Sequence, residues 1–307
     1  MKALIIGHGK QAAEYSKVLI NNKIKIEGIC GRNPKVYNFA KNLNINNIYL
    51  NISEALNNCQ YDFVLVLITW TEIEKEIKKI IEFSKKVIFV EKPISLSKKK
   101  LKFFSQISKK KNKNVFILYN RRYFKTINFL KNKIKREKKI HFNLNISDQK
   151  KLLVTKYGKN MNKYMKYFMT SHWIDILIYI FGNFKYEIKS IDKKFTSLII
   201  YNNKAYGVVN FFIDAKDRIN GSFYFKNDTL KLDTLEYLYK VNKFKKSKKK
   251  YLYKKKLLIN EYKTSPFKPG LNDLVKDIKK IFKRKKSKMP RIKDLNQLYS
   301  ILEKIKL

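Results

Sequence analysis

Two short stretches carry the side chains best suited to move protons. They are FVEKPISLS at residues 89–97 and MTSHWIDILIYIFG at 169–182. In the first, the apolar run Val87-Ile88-Phe89-Val90 ends in Glu91, Lys92 and Pro93, so an acid, an ammonium and a ring-locked residue stand at a strand's carboxyl end. An ammonium there can donate to a hydroxyl or carbonyl oxygen where hydride leaves or arrives, and Pro93 fixes the backbone that carries it. A lysine that merely ends an edge strand has the same sequence, so the functional reading needs a partner group. The second stretch offers one. Ile174, Leu177, Ile178 and Phe181 recur at helical spacing as a buried face, while His172, Asp175 and Tyr179 share another. Gly182 closes the helix as a C-cap. Of the three histidines, His8, His141 and His172, the last is best placed for acid–base chemistry, against the ordinary alternative of a structural helix histidine. Lys92 and His172 are the catalytic candidates.

A second kind of chemistry is written at the start of the chain. In GHGKQAAEY, residues Gly7, Gly9 and Ala12 match G-x-G-x-x-A directly after an apolar strand and into a helix. Gly7 permits the tight turn, Gly9 lets a pyrophosphate approach the backbone, and Ala12 allows close helix packing. The helix N-terminus, with Lys10 and Gln11, faces the anion. The alternative is a small-residue turn with no ligand, and His8 within it reads as exposed loop. The second strand should end in an acid if the ribose 2′-hydroxyl of NAD is gripped, but EGICGRN offers Gly31 and Arg32. A small residue followed by Arg leaves room and charge for a 2′-phosphate, which favours NADP with NAD still possible; Arg32 stacked on adenine would serve either. The cofactor-side set is Gly7, Gly9, Lys10, Gln11, Arg32, Thr69, Glu91 and Lys92.

These residues need a frame. Ala3 to Ile6, Ile24 to Cys30, Asp62 to Ile68, Val87 to Val90 and Val115 to Tyr119 read as apolar strands, with helices at Gln11 to Asn21, Pro34 to Leu43 and Thr71 to Ser84. Strands alternating with helices give a doubly wound parallel sheet, and ligands bind beyond the carboxyl ends of its strands. After Tyr123 the pattern changes to a basic helix reaching about Arg136, the strand KIHFNLNIS, a polar Lys- and Asn-rich loop, and the His172 helix. FTSLIIYNN, AYGVVNFFID, GSFYFKND and TLEYLYKVN then alternate, with turn signals at Asn202-Asn203 and Asn227-Asp228. They read as an antiparallel sheet with one wet face, closed by helices near 271–283 and 293–305. The expected fold is α/β, with a Rossmann domain over 1–122 and a second α/β domain with an open, mostly antiparallel sheet over 123–307.

Composition sets limits on partners. Among 307 residues, 44% are hydrophobic, enough for real cores. The net charge of +46 comes from 70 Lys+Arg against 24 Asp+Glu. Those lysines are spread along the chain and travel with Asn and Ile, as AT-rich codons dictate, so no specific nucleic-acid partner is expected; a binding face is the competing reading. The densest runs are 243–256, with Tyr251 and Tyr253 interleaved, and 280–291. A solvated hairpin edge with protective lysines accounts for the first, against stacking residues of a nucleic-acid face. Cys30 and Cys59 show no paired or metal-ligand spacing, which fits a reducing cytoplasm and no metal. No segment reads as a signal peptide or membrane span.

GHGKQAAEY, VEKPISLS, YNRRY at 119–123 and SHWIDILIYIFG, in this order and spacing, resemble the Gfo/Idh/MocA oxidoreductases, the glucose–fructose oxidoreductase and inositol dehydrogenase group. The resemblance runs by motif from residue 1 to about 182. It implies a Rossmann domain followed by an α/β domain whose open sheet supports homo-oligomer contacts, as a dimer or tetramer, and covers the nicotinamide. Lys92 matches the family's active-site lysine, Glu91 and Pro93 the residues that hold it, and His172 the helix histidine. Asp175 matches an acid that orients the helix face or contacts substrate hydroxyls. Two positions depart from the family. The Asp usual one turn before the histidine is Phe168, and the proline usual after the third-strand threonine is Trp70. Either His172 works with Lys92 alone, or a carboxylate arrives from elsewhere, or the chain has left the standard chemistry.

Asn120, Arg121 and Arg122 follow a strand end on the cofactor side. Either arginine can bind a substrate carboxylate or phosphate bidentately, or form a salt bridge at the domain junction. YNRR resembles members encoded with surface-polysaccharide and nonulosonate pathways, which implies a sugar or nucleotide-sugar substrate. Lys92, Asn120, Arg122, His172 and Asp175 form the substrate-side set. The expected activity is NAD(P)-dependent oxidation or reduction of such a sugar; the other reading is a non-catalytic cofactor-binding sensor or scaffold on the same fold.

Overall fold

The computed structural model describes residues 1–192, 194–216, 219–241, 245–247, 250–252 and 255–306. Tyr253 and much of the lysine run 243–256 lie outside them. The chain begins β1 (Lys2–Ile6), α1 (Lys10–Asn21), β2 (Lys25–Cys30), α2 (Lys35–Lys41), β3 (Asn47–Tyr49), α3 (Ile52–Asn58), β4 (Phe63–Val66), α4 (Trp70–Phe83), β5 (Val87–Val90), α5 (Lys98–Lys110) and β6 (Val115–Ile117). All six strands pair in parallel, in the order β3-β2-β1-β4-β5-β6. Every residue of β4 is buried, as a strand covered on both faces requires. The order reverses between β1 and β4, and that reversal opens a crevice at the carboxyl ends of the strands.

The sequence reading places no element at 47–58 or 98–110, where the structure has β3, α3 and α5. β3 has three residues and no apolar alternation to reveal it. Both helices are started by side chains. Asn51 Oδ1 accepts from Ser53 N at 2.8 Å, and Ser97 Oγ accepts from Lys100 N at 3.2 Å.

The chain continues with α6 (Lys125–Arg136), β7 (Ile140–Asp148), α7 (Lys150–Tyr157), α8 (Met169–Phe181), β8 (Lys185–Asp192), β9 (Phe195–Tyr201), β10 (Ala205–Ile213), β11 (Ile219–Tyr224), β12 (Thr229–Asp233) and β13 (Tyr237–Val241). A short pair, β14 (Lys245–Ser247) and β15 (Lys250–Leu252), precedes β16 (Lys255–Asn260), and α9 (Leu271–Phe282) and α10 (Asn296–Lys304) end the chain. The large sheet runs β16-β13-β12-β11-β7-β10-β9-β8 and is antiparallel except where β7 meets β10. Both expected Asn turns join consecutive strands, and Asn202 Oδ1 accepts from Ala205 N at 2.8 Å. The stretch expected as a polar loop contains α7 and a 3₁₀ helix over Lys159–Tyr167, and β8 and β12 add strands not foreseen.

Two compact units result: Met1–Asn120 with Leu271–Tyr299, and Arg121–Gly270 with Ser300–Leu307. A single division at 122/123 therefore needs correction, because the chain returns to the first unit near its end. Side chains hold that return. Asn22 Nδ2 donates to Asn272 Oδ1 at 2.8 Å, Lys279 Nζ donates to Asn22 O, and Tyr299 Oη donates to Ser95 O at 2.8 Å. Such long-range pairs leave no periodic trace in the sequence.

In the second unit the buried face of the large sheet has a seat made by a missing side chain. Phe142 on β7 stacks on Phe181 at 4.8 Å and on Phe223 at 5.9 Å. A Cβ on Gly207, its register partner on β10, would lie 2.4 Å from the Phe142 ring. Replacing Gly207 with Ala should cost about 1–3 kcal/mol by overpacking. Thermal unfolding checks this; an unchanged midpoint would mean that the ring shifts freely.

Candidate active site

The glycine turn sits where the two central strands of the parallel sheet end. Gly7 N donates to Cys30 O at 2.8 Å. Its φ is +120°, and a Cβ there would lie 2.6 Å from Leu67 O, so only glycine fits between these strand ends. Gly9, the N-cap of α1, is glycine for a different reason: a Cβ there would meet nothing within 4 Å. Packing therefore does not demand its bareness, and the backbone there is open to an approaching ligand. Ala12 is fully buried, as close helix packing requires. The turn lines a cavity of about 270 Å³ together with Arg32, Asn33, Ile52, Thr69 and Glu72. These residues fit a dinucleotide: open backbone and helix N–H groups for a pyrophosphate, beside a largely apolar pocket at the end of β2 into which Arg32, Asn33 and Glu72 bring polar groups. Lys10 is exposed and Gln11 half-buried at the helix start.

At the β2 end the sequence reading saw only half of the arrangement. Arg32 Nη1 lies 2.5 Å from Glu72 Oε2 on α4, and Lys75 Nζ approaches Glu72 Oε1 at 3.1 Å. Burial alone would raise the Glu72 carboxyl; hydrogen bonds and charge from Arg32 and Lys75 outweigh it, and the carboxyl is held low. A carboxylate does reach the ribose side of the cleft, from α4 and not from β2. Gly31 leaves the space into which His8 folds, where a Cβ would lie 2.4 Å from His8 Nδ1, and His8 Nε2 is 3.1 Å from Asn33 Oδ1. His8 is thus half-buried in the loop between β1 and α1, with its ring against the turn.

Lys92 follows β5 in the same sheet, half-buried, with a cis peptide to Pro93. Glu91 N donates to Val66 O at 2.9 Å, which ties the stretch to β4. The segment after Lys92 is pinned twice more. Glu74 on α4 accepts from Ser95 Oγ and Leu96 N, both at 3.1 Å, and pairs with Lys100 Nζ at 2.7 Å. Tyr299 holds Ser95 O, as noted. Tyr15 on α1 is buried, and burial first, then the neighbouring Glu91 carboxylate, raises its hydroxyl well above the ordinary value, so it stays a neutral donor.

In the second unit, α8 carries His172, which is 6% exposed. The helix is more enclosed than its amphipathic pattern predicts. Ile174 and Leu177 are buried as expected, Ile178 and Phe181 are half-buried, and His172 and Asp175 on the polar face are buried too. That face is covered because it has polar partners. Arg122 grips Asp175 bidentately, Nε to Oδ2 at 2.8 Å and Nη2 to Oδ1 at 2.6 Å, and lies over the Tyr179 ring at 5.2 Å. Burial pushes the Asp175 carboxyl up, and Arg122 opposes the rise. Arg122 and Asp175, both placed on the substrate side by the sequence reading, are thus engaged with each other.

Arg121 is the arginine with capacity left. Its Nη2 lies 3.6 Å from Met169 Sδ, and its Nη1 is buried without a hydrogen-bond partner among the described residues. Burial pulls its pKa down to about 10, while Glu236 and Asp148 favour its charge. Asp148, at the end of β7, accepts from Thr170 Oγ1 at the start of α8. The position of the usual acid holds Phe168, whose ring stacks on Tyr157 at 5.9 Å. Asn120 stands half-buried at the head of a 3₁₀ helix over Asn120–Tyr123.

Residues 1–119 match the model of an oxidoreductase family with an NAD-binding Rossmann fold, GFO_IDH_MocA. The match places an NAD-binding Rossmann fold of an oxidoreductase at the N-terminal 119 residues. No curated protein matches the chain in sequence. Among solved structures, a dehydrogenase from Chromobacterium violaceum aligns with a TM-score of 0.80 at 13% identity, covering 99% of this chain and 94% of its own. A levoglucosan dehydrogenase in complex with NADH and levoglucosan gives 0.75 at 14%, covering 99% and 95%. A UDP-N-acetylglucosamine 3-dehydrogenase from Acidithiobacillus ferrooxidans gives 0.73 at 10%, covering 100% and 96%. At these identities the likeness establishes that the fold is shared along the whole chain.

In this oxidoreductase, sequence reasoning missed Glu72, Glu74, Tyr15, Arg121 as distinct from Arg122, and Asp148. A small signal existed for the first two: TEIEKEI puts three acids, Glu72, Glu74 and Glu76, on the first two turns of α4, beside the strand that ends in the site. Glu74 gives a test. Burial would raise its carboxyl, but hydrogen bonds from Lys100, Leu96 and Ser95 hold it below the usual 4.5. A lowered folded value means that the contribution is present above pH 4.5 and is lost as pH falls through the lower value. Glu74→Gln should therefore lose about 1–2 kcal/mol near neutrality, with the gap to wild type closing in acid. Thermal unfolding across pH measures it; a gap independent of pH would contradict the role.

Proposed function

We propose that this oxidoreductase transfers hydride between a nicotinamide dinucleotide and a sugar or nucleotide sugar. The carrying observation is Lys92 at the carboxyl end of β5, in the sheet whose β1 end holds the Gly7–Gly9 cleft. When bound, the dinucleotide supplies or accepts the hydride. The chain's residues do the rest. Gly7, Gly9 and the N-terminus of α1, with Lys10 and Gln11, hold the pyrophosphate, and Thr69 lines the same cleft. Lys92 Nζ donates or accepts the proton at the reacting oxygen, and Glu91, Pro93 and the Glu74-pinned segment keep it in place. His172 is the second acid–base group. Arg122 and Asp175 fix the helix that carries it, and Arg121 and Asn120 offer donors to substrate hydroxyl or anionic groups.

Arg32 supports a preference for NADP(H), with NAD(H) accepted, since it supplies positive charge at the ribose side. The levoglucosan and UDP-N-acetylglucosamine dehydrogenases of the same fold support a sugar or nucleotide-sugar substrate, and a place in surface-polysaccharide biosynthesis follows from the YNRR likeness. A cytoplasmic homo-oligomer without a specific nucleic-acid partner completes the reading. Among the described residues no helix is long and apolar enough to cross a membrane.

Phe168 favours a second reading, a cofactor-binding protein without turnover, because it removes the family's usual carboxylate before the histidine. Lys92→Ala separates the two. Turnover on a panel of sugars and nucleotide sugars should fall about 10²–10⁴-fold while cofactor affinity stays nearly unchanged, and His172→Ala should lose less. Near-normal turnover in Lys92→Ala would make the lysine structural and overturn its role, and no turnover of any sugar by the wild type moves the second reading ahead.

A further inference from the structure

The end of β2 is where a Rossmann domain chooses between a ribose 2′-hydroxyl and a 2′-phosphate. Here the choice is built from two elements with opposite charges. Arg32 comes from the strand end and Glu72 from the first turn of α4, and both line the cleft that contains Gly7 and Gly9. They meet at 2.5 Å, with 56% of the Arg32 side chain and 16% of the Glu72 side chain exposed. Arg32 is thus the movable member and Glu72 the seated one, anchored further by Lys75 at 3.1 Å. A carboxylate from β2 itself has no room, since His8 fills the space beside Gly31.

We propose that Glu72 is a specificity-determining residue for the cofactor, supplying from α4 the ribose-side carboxylate that β2 lacks and restraining NADP(H) by holding Arg32. This rests on the dinucleotide reading above and deepens it. A ribose 2′-hydroxyl donates to Glu72 and leaves the ion pair intact. A 2′-phosphate dianion must draw Arg32 away and then lie beside a carboxylate that remains ionised near neutrality, because its carboxyl is held low by the bases around it. Arg32 and Glu72 therefore pull cofactor choice in opposite directions, and the observed preference is the difference between them.

Titration of the full chain with NADPH and with NADH, followed by nicotinamide fluorescence, tests the proposal directly. Glu72→Gln removes the charge and keeps the shape. It should raise the affinity for NADPH relative to NADH by about tenfold or more, mainly through tighter NADPH. Glu72→Asp, which keeps the charge, should stay within about threefold of the wild-type ratio, and Arg32→Ala should move the ratio the opposite way from Glu72→Gln. If Glu72→Gln binds both cofactors with a ratio within about twofold of wild type, the pair is a surface ion pair and the inference fails while the dinucleotide reading stands. If the wild type binds neither cofactor, the dinucleotide reading itself fails.

Discussion

The whole site depends on how closely β1's exit passes the end of β4. Gly7 occupies a left-handed conformation with its bare Cα face against the Leu67 carbonyl, and any larger residue would push the two central strands apart. That contact sets where α1 begins, and so where its free N–H groups point. Because the strand order reverses at this pair, the same contact defines the crevice wall. Lys92 lies one strand farther along, its stretch tied to β4 through Glu91 N and Val66 O. The glycine turn and Lys92 are therefore registered to each other through β4.

The charge distribution takes on a different meaning once the fold is known. Acids are scarce, 24 against 70 basic residues, and the buried ones each have a defined acceptor role. Asp148 takes Thr170, Asp175 takes Arg122, Glu261 caps α6 through Thr126 N at 2.7 Å, and Asp277 takes Ser287 Oγ and Lys288 N. With so few carboxylates, those near the cleft, Glu72 and Glu74, stand out as positioned groups. The lysine excess says little about partners by comparison. It is spread widely, and the ion pairs it makes, such as Lys25 with Glu27 at 2.9 Å, lie at the surface.

What the sequence disclosed was local. The glycine turn, the strand ending at Lys92, the Gly182 cap at φ +72° and the two Asn turns are each written within a few consecutive residues, and the structure has them. What it hid was pairing between distant residues. Nothing in the spacing of Arg32 and Glu72, or of Arg122 and Asp175, signals that they meet. Of the two adjacent arginines, only the fold shows that Arg122 is committed and Arg121 is not. Likewise the return of Leu271–Tyr299 to the first unit depends on contacts such as Asn22 with Asn272, which no periodicity announces. The enclosure of α8 is hidden for the same reason. A polar helix face reads as wet until its buried partners are known.

The central claim is that the open face of Gly9 exists for a dinucleotide. A side chain there would meet nothing within 4 Å in the protein, so Gly9→Val should leave the thermal midpoint close to wild type. It should also place a branched side chain where the pyrophosphate must approach. Titrating wild type and Gly9→Val with NADH and NADPH, alongside thermal unfolding, is the most direct measurement. The account predicts binding by the wild type and loss of binding of about a hundredfold or more in a variant that remains as stable. A stable Gly9→Val that binds either cofactor as well as the wild type would contradict it.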